Sequence, residues 1–186
     1  ITVGYVGVIG EQDGVDYLIR AWHHVVHKIG RHDLQLVVIG EGPALGSLVE
    51  LANELQVSDS ISFTGFLDDA LFMRTLSRFD IGVCPDPKDD FNDKCTMNKI
   101  LEYMALGIPV VQFDLTEGRR SAEDAAVYAM PNEPSSLAEQ IVRLADNPEQ
   151  REKMGRIGKM RMRNELSWEH SIPQLLAAYS AVLGSL

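Results

Sequence analysis

TVGYVGVIGEQDGVDYLIRAWHHVVHKIGRHDLQLVVIG, residues 2–40, decides the fold. It opens with a Val-, Ile- and Tyr-rich run, 2–10, that ends in glycine. Val15, Leu18, Ile19, Trp22, Val25, Val26 and Ile29 then keep helical period. A second run, 34–40, is of the continuous apolar kind that is buried on both faces of a sheet. Strand, Gly-rich turn, helix and strand therefore follow one another, and the same alternation extends along the chain. Leu45, Leu48, Val49, Ala52 and Leu55 mark a second helix, followed by a strand at 60–64, a helix near 68–77 and a strand at 80–84. KCTMNKILEYMALGIPVV (94–111) supplies a further helix and runs into a strand at 109–113, and AAVYAM (125–130) is a sixth strand. Strands alternating with helices imply an α/β chain with a parallel sheet of about six strands and right-handed crossovers. From about residue 135 the pattern is helix, Asn-Pro break and helix, and SWEHSIPQLLAAYSAVL (167–183) closes the chain with Pro173 near a helix start or at a kink. Nothing in this stretch reads as a linker, so 1–186 is expected to be one domain.

With 186 residues, 45% apolar and 24% charged, the chain can bury one sizeable core. A net charge of −10 disfavours a basic face for nucleic acid, so a small anionic ligand would need a few local cations or backbone N–H groups. No run of eighteen apolar residues and no basic leader occurs, so neither a membrane span nor a signal peptide is expected. Cys84 and Cys95 lack a metal-binding spacing and read as packing residues in a reducing, cytoplasmic setting. Ile1 already belongs to a strand-like run, which suggests a piece of a longer polypeptide.

Ligands of an open parallel sheet bind beyond the carboxyl ends of the strands, where helix N-termini offer free N–H groups. Four loops fall there: 10–14, 40–44, 85–95 and 114–120. In the helix of residues 94–111, a start near Thr96 would let the first N–H groups, Thr96, Asn98 and Lys99 hold a diphosphate. Glu102 would lie about 9 Å further along the axis, placed to accept two hydrogen bonds from a ribose. The plainer alternative is a solvated Lys99/Glu102 pair. Gly4, Gly7, Gly10 and Gly14 do not have the spacing of a dinucleotide fingerprint, and a tight turn accounts for them. Gly40 and Gly42 free a similar turn before Pro43. PDPKDDFNDK (85–94) lacks the glycine and glutamate of a calcium loop; it is either a solvated loop or a mobile acidic loop facing sugar hydroxyls. His23, His24 and His27 lack a third ligand and an H-E-x-x-H pattern, so no metal is expected. Arg119 and Arg120 reach the ligand edge, for phosphate or for salt bridges within their loop.

In order and spacing, YVGVIGEQDGVDYLIRAW, LQLVVIGEGP, ISFTGFLD, LEYMALGIPVV and the tail LADNPEQREKMGRIGKMRMRNELSWEHSIPQLLAAY resemble the carboxyl-terminal half of the retaining, nucleotide-sugar-dependent glycosyltransferases of GT-B architecture, the group 1 or family 4-like enzymes. The likeness covers nearly the whole chain. It implies a Rossmann-like three-layer sandwich, one half of a GT-B fold, whose amino-terminal acceptor domain is not in the sequence. It also implies an NDP-sugar as substrate, with no cofactor and no metal. The hexosyl group would pass to a saccharide or lipid-linked acceptor, as in polysaccharide biosynthesis.

By the same resemblance the base is held near Gly65, Phe66 and Leu67, the ribose by Glu102, and the diphosphate by the helix start at Thr96, Met97, Asn98 and Lys99. Gly7, Gly10, Gly42 and Arg119 complete the donor site, and Asp93 and Lys94 stand at the catalytic position. Three departures accompany the likeness. Lys94 stands where the family has the first of two paired glutamates, and Val8 and Asp13 stand where it has an arginine and a lysine. Lys94, Lys99, Arg119 or Arg120 would have to replace that clamp. A sugar-nucleotide epimerase or phosphorylase of the same architecture, and a non-catalytic nucleotide-sensing module, are the alternatives. Membrane contact is not indicated for this part of the chain, although the full-length protein could be membrane-peripheral.

Overall fold

The structure, a computed structural model, describes residues 1–184. Strands β1 (Thr2–Val6), β2 (Gln35–Ile39), β3 (Ile61–Gly65), β4 (Ile81–Cys84), β5 (Val110–Phe113) and β6 (Ala126–Ala129) form one sheet in the order β3-β2-β1-β4-β5-β6. All neighbours are parallel. Helices α1 (Val15–His23), α2 (Leu45–Glu54), α3 (Asp69–Leu76), α4 (Asn98–Leu106) and α5 (Thr116–Ala122) connect successive strands. After β6 come α6 (Pro134–Ala145), α7 (Pro148–Arg161) and α8 (Trp168–Leu183).

Every residue of β4 and β5 is buried, as the unbroken apolar strands require when helices cover both faces. On one face Tyr5, Leu36, Val38 and Phe113 pack against Leu18 and Trp22 of α1 and Leu137 and Ile141 of α6. On the other, Val6, Ile39 and Val110 pack against Leu76 of α3, Ile100 and Met104 of α4 and Ala122 of α5. These are the three layers of the expected sandwich. The strand order reverses beside β1, so a crevice opens at the carboxyl ends of β1 and β4.

Several boundaries differ from the sequence expectation. The first helix ends at His23 and continues as one π-helical turn, His24–Lys28, closed by the Ile29 N–H donating to the His24 carbonyl at 2.9 Å. The rings of His23 and His27 meet the Leu55 and Gln56 carbonyls at 3.1 and 3.0 Å. α4 begins at Asn98 rather than near Thr96, because Met97 is extended (ψ 113°) and forms the cap. Residues 116–122, read as loop, are the helix α5, and its buried members are the small Gly118, Ser121 and Ala122. The Asn-Pro break is built as read: the Asn147 side chain accepts the Gln150 N–H at 2.9 Å, and Pro148 opens α7. Pro173 falls in the second turn of α8.

α8 buries nothing, although Trp168, Ile172, Leu175, Leu176, Tyr179, Val182 and Leu183 recur on it at helical spacing and are all exposed. Replacing Leu176 and Val182 together by Gln is therefore expected to change the denaturation free energy of this chain by less than about 0.5 kcal/mol. Leu18→Ala, at a fully buried position, is expected to cost about 2–5 kcal/mol in the same urea titration. Among the described residues no helix is long and apolar enough to cross a membrane.

Candidate functional site

The loop after β1 leaves the sheet at Gly7, whose φ of +152° suits glycine; a Cβ there would lie 3.0 Å from the Tyr5 hydroxyl and 3.4 Å from Lys99 Cε. The loop is joined to the one after β2 by three hydrogen bonds: Gly7 N–H to the Ile39 carbonyl (3.1 Å), Ile9 N–H to Glu41 (2.9 Å) and Ala44 N–H to Ile9 (3.1 Å). Gly42 fits against the Ile9 carbonyl, 2.3 Å from where a Cβ would stand. Gly65 closes β3 by accepting the Gly40 N–H at 3.1 Å. Behind these turns lies an apolar pocket of about 200 Å³ lined by Val6, Gly7, Ile39, Gly40, Phe66, Leu67 and Phe72. Phe66 stands at its mouth, 77% exposed. Gly7, Phe66 and Leu67, far apart in sequence, thus share one wall with Gly65 beside them. Gly10 borders a separate hollow with Glu11, Tyr17 and Ser47.

Lys99 lies beneath Gly7, not on the surface. Its ammonium is 2.9 Å from both oxygens of Asp86 and 4.0 Å from Asp13. Burial lowers the pKa of Lys99, but the neighbouring Cys84, Asp86 and Asp13 together outweigh it and hold it above the ordinary lysine value. Asp86, 2% exposed, also accepts the Cys84 thiol at 2.9 Å, and burial pushes that thiol's pKa up. Glu102, one turn into α4 and about 6 Å from its start, is exposed, and its carboxylate makes no hydrogen bond or ion pair among the described residues. Lys94 is likewise exposed and without an ion-pair partner among them. Asn98 opens α4 at the surface, and Met97 is half-buried.

The acidic stretch 85–95 is tethered at several points, which departs from the mobile acidic loop considered from sequence. Asn92, 2% exposed, donates to the Gln12 and Pro87 carbonyls, both at 3.1 Å. The Lys88 N–H donates to Asn132 at 2.6 Å, and Asp89 accepts the Phe91 and Asn92 N–H groups. Asp93, expected at the catalytic position, accepts the Thr116 N–H at 2.8 Å and its hydroxyl at 2.9 Å, so it caps α5. Those two bonds hold its pKa below the usual carboxylate range. Thr96, outside the helix it was expected to start, donates its hydroxyl to Glu117 at 3.0 Å. Arg119 is not brought to the pocket beside Gly7. Asp114 holds its guanidinium through two bonds of 2.8 Å, and it stacks 4.0 Å over Tyr128. There it lines an open hollow of about 610 Å³ along β6, three strands away from β1.

Residues 1–147 match the family model of the glycosyl transferases group 1. The chain belongs to the group 1 glycosyltransferases. It is 30% identical over 152 residues to the alpha-D-kanosaminyltransferase of Streptomyces kanamyceticus, an alignment covering 81% of this chain and 38% of that relative. The chain therefore spans less than half of the relative's length. Among solved structures, the C-terminal domain of a group 1 family protein from Francisella tularensis superposes with TM-score 0.72 at 22% identity, covering 89% of this chain and 86% of that one. HepE of Anabaena, solved with UDP and glucose, gives TM-score 0.80 at 17% identity, covering 100% of this chain and 48% of its own. The fold is thus one Rossmann-like half of a GT-B glycosyltransferase.

Sequence reasoning missed two residues that shape this glycosyltransferase domain at its ligand edge, Asp86 and Asn92. Both sit in a run whose composition reads as solvated. The one local signal was Pro87 directly after Asp86, which biases the Asp86 backbone toward extended conformations just past a buried strand.

Proposed function

We propose that this chain is the donor-binding domain of a retaining hexosyltransferase that uses an NDP-sugar and passes its hexosyl group to a saccharide or lipid-linked acceptor. The observation that carries the reading is the pairing of an apolar pocket beside Gly7, Phe66 and Leu67 with the carboxylate of Glu102, unpartnered among the described residues, on the adjoining helix α4. A base fills the pocket, Glu102 accepts the ribose hydroxyls, and the diphosphate lies between them near the start of α4. In the transfer, the bond between the anomeric carbon and the diphosphate oxygen breaks, the acceptor hydroxyl oxygen bonds to that carbon on the same face of the sugar, and the hydroxyl proton passes to the departing diphosphate. Lys94, an exposed cation without a partner among the described residues, meets the charge left on the departing diphosphate, and neither a metal nor a cofactor is required.

The acceptor is held by an amino-terminal domain of the same polypeptide in a cytoplasmic protein. The uncovered apolar stripe of α8 and the greater length of the relative support such a partner. This chain alone accordingly binds nucleotide without transferring sugar, since the reacting groups meet in a cleft between two domains.

Calorimetric titration with UDP, GDP and ADP tests the reading. One of the three is expected to bind saturably, and Glu102→Ala to weaken it about 10- to 100-fold, as the loss of two charge-assisted hydrogen bonds requires. Binding that is indifferent to Glu102→Ala, or no binding of any nucleotide, would overturn it.

A further inference from the structure

Lys99 reaches the glycine loop, its Cε 3.4 Å from where a Cβ on Gly7 would stand, yet its charge is matched within the fold. Its side chain is 9% exposed and that of Asp86 3%, with the ammonium 2.9 Å from both Asp86 oxygens. Asp13 approaches it to 4.0 Å and, through its other oxygen, accepts the Gly10 N–H at 3.0 Å. The three groups come from three segments: Asp13 from the loop after β1, Asp86 from the stretch after β4, and Lys99 from α4. With both carboxylates ionised the trio is a net anion, which repels a diphosphate. A buried cation whose charge is already matched by carboxylates on other segments links those segments to its own helix.

We propose that Lys99, bridged to Asp86 and Asp13, is a positioning residue that fixes the 7–14 loop against the start of α4, and that the diphosphate takes its counter-charge from elsewhere. The second clause rests on the donor-site reading above; the first does not. The sequence offers Lys99 as a phosphate ligand, and the geometry gives it a different task. Asp86 becomes a determinant of the site without touching the ligand.

Two variants test this, Lys99→Met and the double replacement Lys99→Met/Asp86→Asn, which removes the buried ion pair and leaves Asp13 with its bond from the Gly10 N–H. Amide hydrogen exchange is measured without ligand, and titration compares UDP, GDP and ADP with uridine, guanosine and adenosine. In Lys99→Met the Ile9 and Gly10 amides are expected to exchange about tenfold faster than any change in the β1 and β5 amides explains. Diphosphate affinity should fall by about tenfold in that variant. In the double variant the bridge is still missing, so both quantities should stay within about threefold of their Lys99→Met values. A double variant that keeps the loop protected but still loses about tenfold in diphosphate affinity, with nucleoside affinity intact, makes Lys99 a ligand and overturns the proposal. Unchanged loop exchange in Lys99→Met overturns the bridge itself. Should the parent chain bind none of the nucleotides, the donor reading fails, and the exchange measurement still decides the positioning role.

Discussion

Lys99→Met is expected to lower the unfolding free energy by about 3–5 kcal/mol, because it leaves the carboxylate of Asp86 buried with no cation. Asp86 is 2% exposed, and its other described side-chain partner is the thiol of Cys84, a weak donor. A loss of that size is a large share of the roughly 5–15 kcal/mol by which a domain of this kind is stable. The pH dependence follows from the raised value of Lys99 in the folded state. Its contribution is complete below the unfolded lysine value of about 10.4 and is lost only as pH rises through the higher folded value. The contribution of the protonated Lys99 in the parent should therefore be the same at pH 6 and pH 8 and should fade only in strong alkali. Added salt should alter it little, since a pair this enclosed is weakly screened. Urea midpoints at the two pH values, with unchanged slope, would check it; a loss under about 1 kcal/mol would mean that Asp86 finds another partner once Lys99 is gone.

The fold was legible in the sequence because nearly every element carries its own signal. Strands such as 34–40 are apolar without interruption, and Leu18, Ile19, Trp22 and Val25 keep a helical period that no strand can satisfy. α5 was not legible for the converse reason. TEGRRSA packs through Gly118, Ser121 and Ala122, whose small side chains allow close approach without leaving an apolar stripe. In the site, Glu102 could be picked out as a carboxylate one turn into a helix at the ligand edge. The convergence of Gly7 with Phe66 came only from the family resemblance, since it depends on strand order β3-β2-β1, which local periodicity does not carry. Lys99 shows the limit most clearly. An ammonium near a helix start reads the same whether it faces water or lies against Asp86, thirteen residues earlier in the chain.

Gly14→Val is expected to cost about 2–5 kcal/mol, combining backbone strain with overpacking. Gly14 holds φ +67°, where a β-branched residue is strained, and a Cβ there would stand 2.2 Å from the Pro85 carbonyl oxygen and 2.8 Å from Pro87. Neither neighbour is the end of a flexible side chain, so the 85–95 stretch would have to move as a whole. Its anchors at Gln12 and Thr116 resist that. Gly10 differs: its φ is −101°, and a Cβ would meet the amide end of Gln12 at 2.7 Å, which can swing aside, and the carboxylate of Asp13 at 2.9 Å, which need move only slightly and can keep its bond from the Gly10 N–H. Gly10→Ala should accordingly cost about 1 kcal/mol or less. The two variants separate the two reasons a loop keeps a glycine. At Gly14 the chain itself needs the space, so stability falls and nucleotide binding is lost only along with it. If Gly10 instead admits a ligand, Gly10→Ala should leave the urea midpoint nearly unchanged and weaken nucleotide binding on its own. A stable Gly14→Val protein would show that the acidic stretch yields easily, and the mobile loop read from the sequence would return as the better description.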